Sequence, residues 1–97
     1  MRNEVFKIIE LAVNEINEEL DYESLINVSE MTPLFGGDEG VDSLSLVRII
    51  THVEGEIYNR LDKSISLANE KAMSMRNSPY RSVGSLLDYA MQCLEET

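Results

Sequence analysis

The stretch Val41-Asp42-Ser43-Leu44-Ser45-Leu46-Val47-Arg48-Ile49-Ile50 decides how the rest of the chain is read. It opens as an acidic-hydroxyl step after the glycine-bearing run Gly36-Gly37-Asp38-Glu39-Gly40 and passes at once into an apolar pattern of helical period. Asp and Ser both rank among the best helix N-caps, so one reading makes Asp42 or Ser43 a cap and nothing more. A second reading starts from the same geometry. A serine in the first turn of a helix is exposed, and the opening N–H groups around it lack intrahelical acceptors and are electropositive. A phosphate ester on such a hydroxyl is stabilised there. Ser43 is therefore a candidate covalent attachment point, with Asp42 and Leu44 as its flanking motif.

Downstream, the spacing predicts a helix from Ser43 or Leu44 to Asn59 or Leu61. Leu46, Val47, Ile50, Val53, Ile57 and Leu61 fall inward, while Ser45, Arg48, His52, Gly55, Glu56 and Asn59 face solvent. That outer strip adjoins Ser43, which makes Arg48, His52 and Glu56 candidate partner contacts. His52 is the only histidine. Its one acidic neighbour at helical spacing, Glu56, offers an ion pair rather than a ligand set, so His52 reads as a surface residue and no metal site is expected.

Upstream, Val5, Ile8, Ile9, Ala12, Val13, Ile16 and Leu20 recur at helical spacing, with Glu4, Lys7, Asn14, Glu15, Glu18 and Glu19 on the other side. A first helix from Glu4 to about Leu20 follows, with Phe6 and Leu11 at the margins of its stripe. Asp21 to Val41 then carries Leu25, Ile26, Val28, Met31, Leu34 and Phe35 without a sustained period. A loop of this length in a small domain is expected to be ordered by its own side chains and to cross the bundle, with a short helical turn at Tyr22–Ile26. Gly36, Gly37 and Gly40 read as turn formers, because their run lacks the Lys and Ser/Thr of a nucleotide loop and its two carboxylates oppose a nucleotide.

After the second helix, Ile65 and Leu67 alternate with Ser64 and Ser66, which suits an extended connector over Asp62–Ala68. Asn69 can cap a short helix through Glu70–Met75 that ends before Pro79. Met73 and Met75 are core fillers in the plain reading and adaptable pocket walls in the sharper one. Ser82 caps a last helix whose stripe is Val83, Leu86, Leu87, Ala90, Met91 and Leu94. The expected fold class is all-α: a small four-helix bundle of three main helices and one short one, with a long ordered loop after the first, in one domain over residues 1–97.

A formal charge of −10 disfavours nucleic acid and anionic membranes as partners. No apolar run is long enough for membrane insertion, and Met1-Arg2-Asn3-Glu4 leads straight into an amphipathic pattern, so a cytoplasmic monomer is expected. Cys93, the only cysteine, reads as a small apolar filler. No nucleophile, base and orienting group stand together, so the chain is not expected to be an enzyme.

Asp42-Ser43-Leu44, with Leu34-Phe35-Gly36 before it, the amphipathic run behind it and Ser82-Val83-Gly84-Ser85-Leu86-Leu87-Asp88-Tyr89 near the end, resembles the acyl carrier proteins and related phosphopantetheine carriers. The likeness spans nearly the whole chain, and the Asp-Ser-Leu step in its expected place is its most specific part. It implies that Ser43 carries 4′-phosphopantetheine, donated from coenzyme A by a phosphopantetheinyl transferase. The arm's thiol would hold an acyl or related acid cargo as a thioester and shuttle it between acyl-loading and acyl-using enzymes of a dedicated lipid, fatty-acid or polyketide-like pathway. An aminoacyl or peptidyl carrier of the same fold is the alternative within the family, and an unmodified helical adaptor the alternative outside it. Two positions depart from the family's acidic second helix, Arg48 and Ser45, which argues against housekeeping fatty-acid synthesis. The segment between Ile65 and Val83 is also longer than in housekeeping carriers and looks like a specialised bacterial branch.

Overall fold

Three helices form where the apolar stripes predict them: α1 over Arg2–Leu20, α2 over Ser43–Leu61 and α3 over Val83–Glu95. The computed structural model describes residues 2–20, 27–35, 41–68 and 78–96, with the backbone alone at Leu20. The turn expected at Tyr22–Ile26, the glycines before Val41, and the short fourth helix with Met73 and Met75 lie outside the described residues. What the described residues form is an all-helical bundle.

Helix α1 is the element that the other two share, packing against both α2 and α3. Its stripe accounts for this: Val5, Ile8, Ile9, Ala12, Val13 and Ile16 are all buried. Phe6 packs at the margin of the core and Leu11 is about half exposed, as their off-stripe positions require. Arg2 ties the start of α1 to two other parts of the fold, reaching Glu30 at 2.7 Å and Asp88 at 2.8 Å. In α3 the expected stripe is buried except Met91, which packs half-exposed against the core, and Tyr89 is buried in addition. Ser82 caps α3 through a reciprocal box in which its side chain takes the Ser85 N–H at 3.1 Å and the Ser85 hydroxyl takes the Ser82 N–H at 2.9 Å.

Helix α2 is rotated from the expected setting. Val47, assigned to the core by spacing, is 52% exposed, whereas Ser45, assigned to solvent, is buried at 3% and Ile49 is fully enclosed. The cause is the position of α1. It lies against the edge of α2 that carries Arg48 and His52, which bridge to Glu19 and Glu15 on α1. That neighbour draws the buried arc toward Ser45 and Ile49 and leaves Val47 outside. Leu61, also assigned inward, is only partly covered. The helix ends at Asp62, whose left-handed φ of 54° turns the chain while its N–H bonds to the Tyr58 carbonyl at 3.1 Å.

Residues 32–35 and Val41 are held by backbone pairing that periodicity cannot reveal. Leu34 and Phe35 donate to the Arg81 and Tyr80 carbonyls, both at 2.9 Å, and Val83 donates to Thr32 at 2.9 Å. Val41 then donates to the Leu34 carbonyl at 2.6 Å. Two isolated bridges, Pro33 to Ser82 antiparallel and Phe35 to Val41 parallel, thus join these segments into a brace. Leu34 is fully buried beneath it. The brace fixes the start of α2 against the start of α3.

Residues 62–68 carry neither helix nor strand, and a polar clasp anchors them. The Leu67 N–H donates to the Glu54 carboxylate at 2.6 Å, and the buried Tyr80 hydroxyl donates to the Leu67 carbonyl at 2.5 Å. Burial pushes the Tyr80 phenol above its ordinary value of 10.0, with Tyr89, Glu54 and Cys93 adding to the effect. The fold therefore favours the neutral phenol: this contribution is present below the ordinary tyrosine range and is lost as pH rises through the raised folded value. Tyr80→Phe leaves the Leu67 carbonyl without this donor. It is expected to cost about 1–2 kcal/mol in urea unfolding at neutral pH and to flatten the alkaline limb of the stability profile.

Candidate functional site

The Asp42-Ser43 step divides two tasks between two residues. Asp42 is the N-cap: its backbone is extended, with φ −74° and ψ 168°, and its carboxylate accepts the Ser45 N–H at 2.7 Å. Its carbonyl accepts the Leu46 N–H at 3.0 Å and so starts the helix. Ser43 is the first helical residue and is exposed. The cap is complete without the Ser43 hydroxyl, and the amides of Ser43 and Leu44 stand in the turn that lacks intrahelical acceptors. A tetrahedral anion ester-linked to Ser43 meets the positive end of the helix dipole there.

The capping contact also shows in the acidity of Asp42. The Ser45 backbone N–H, and after it the Ser45 side chain, hold this carboxyl below its ordinary value of 3.8. Because the folded value is depressed, the cap's contribution is present above the ordinary carboxylate range and is lost as pH falls through the lower folded value. Asp42→Ala is expected to lower the melting temperature at neutral pH. The difference from the parent should shrink as pH falls below about 4, which helical circular dichroism followed against temperature can measure.

The residues expected to face partners sit differently from the simple wheel. Arg48 is exposed but bound to Glu19 at 2.6 Å, and His52 meets Glu15 at 3.1 Å. Glu56 pairs with Arg60 at 2.9 Å, not with His52. These three candidates thus line the α1 side of α2, and an open groove of about 440 Å³ runs there past Leu11, Glu15, His52, Glu56 and Arg60. The face opposite the core is made instead by Leu44, 72% exposed, with Val47, Thr51, Gly55 and Tyr58. Leu44 and Val47 follow Ser43 directly on that face, and Phe35, partly exposed, is bridged to Val41 just before it. Sequence reasoning missed Val47, Thr51 and Tyr58 as surface features, although the 3- and 4-residue steps from Leu44 to Tyr58 were available to find them.

Among the described residues no group of three His, Cys, Asp or Glu side chains is placed to hold a metal ion, and no helix is long and apolar enough to cross a membrane. Cys93 is half-buried against the core, its Sγ 4.0 Å from the Ser66 carbonyl. No family model, curated protein or solved structure matches the chain.

Proposed function

We propose that this chain is a carrier protein whose Ser43 hydroxyl is esterified with 4′-phosphopantetheine and whose cargo, an acyl group or related acid, rides on the arm as a thioester. One observation carries the reading: Asp42 alone supplies the cap, so the neighbouring Ser43 hydroxyl is exposed and unspent at the positive end of α2. The group fits the residues present. Ser43 provides the ester oxygen, the first-turn amides and the helix dipole offset the phosphodiester charge, and the Asp42 carboxylate is occupied with the Ser45 N–H. When bound, the arm supplies a thiol on a long flexible tether, which raises the effective concentration of cargo near a docked enzyme.

On this reading the chain performs no reaction itself. A phosphopantetheinyl transferase installs the arm from coenzyme A, and loading and consuming enzymes then act on the cargo. The backbone brace has a purpose here, since it holds the Ser43 end of α2 in a fixed orientation for each enzyme in turn. An aminoacyl or peptidyl carrier differs only in the cargo. The exposed apolar face of α2 also suits a helical adaptor that is never modified.

Incubation with coenzyme A, magnesium and a broad-specificity phosphopantetheinyl transferase separates these readings by intact mass. A carrier gains one phosphopantetheinyl unit per chain. An unchanged mass, under conditions that load a known carrier to completion, rejects the carrier reading in favour of the adaptor.

A further inference from the structure

We draw no further inference here: the strongest candidate, the open groove between α1 and α2 past Leu11, Glu15, Glu18, His52, Glu56 and Arg60, is an acidic cluster whose Glu15 and Glu56 are already paired with His52 and Arg60, and nothing in the structure shows what covers it.

Discussion

Ser43→Ala is expected to abolish phosphopantetheinylation completely while leaving the fold as it was. The two halves of that expectation have separate physical grounds. Loading is lost because no other described residue offers an exposed hydroxyl at the capped opening turn of α2, and alanine has no oxygen to esterify. The fold is retained because Asp42, not Ser43, takes the Ser45 N–H, and because alanine is the best helix former. The change in stability should lie within about 0.5 kcal/mol. Intact mass and a thermal melt on one preparation decide it. A Ser43→Ala chain that still gains the arm moves the attachment elsewhere and removes the basis of the carrier reading.

The largest loss of stability from a single methyl group is expected at Gly84. This residue lies in the first turn of α3, and its N–H donates to the Glu30 carbonyl at 2.7 Å. A Cβ there would stand 2.7 Å from that same backbone oxygen and 3.2 Å from the Glu30 Cβ. No flexible side-chain tip is available to move aside, so Gly84→Ala must push the 27–35 segment away from α3. The shift strains the Gly84 to Glu30 and Val83 to Thr32 hydrogen bonds together, and with them the end of the brace. A cost of about 1–3 kcal/mol is expected, equivalent to a fall in melting temperature on the order of 10 °C for a chain of this size. Gly55→Ala is the matched control. The same methyl group enters open space on a helix and should stabilise by about 0.5–1 kcal/mol. If both substitutions shift the melt in the same direction, the close contact at Glu30 is not what Gly84 serves.

Much of this architecture was legible because helical period is local. The α1 and α3 stripes, the Ser82 cap and the opening of α2 at Ser43 need no knowledge of neighbours, only the recurrence of apolar residues and the chemistry of a cap. The burial of Ser45 and the exposure of Val47 could not be read the same way. Both sit near the boundary of the α2 stripe, where the direction from which α1 approaches decides which edge is covered. The pairing of His52 was equally out of reach: Glu56 is its neighbour in sequence, but Glu15 is its neighbour in space.

The sequence by itself determined that three amphipathic helices would form and that one of them would open at an Asp-Ser step able to cap it, since those properties belong to residues within a few positions of one another. Only the tertiary structure decided that Leu34 and Val41 would brace the start of α2 through backbone bonds, that Gly84 would be needed where Glu30 crosses it, and that the uncharged side of α2 would be the one left open. Each of those depends on residues far apart in the chain, and their contacts are set by packing geometry that periodicity does not encode.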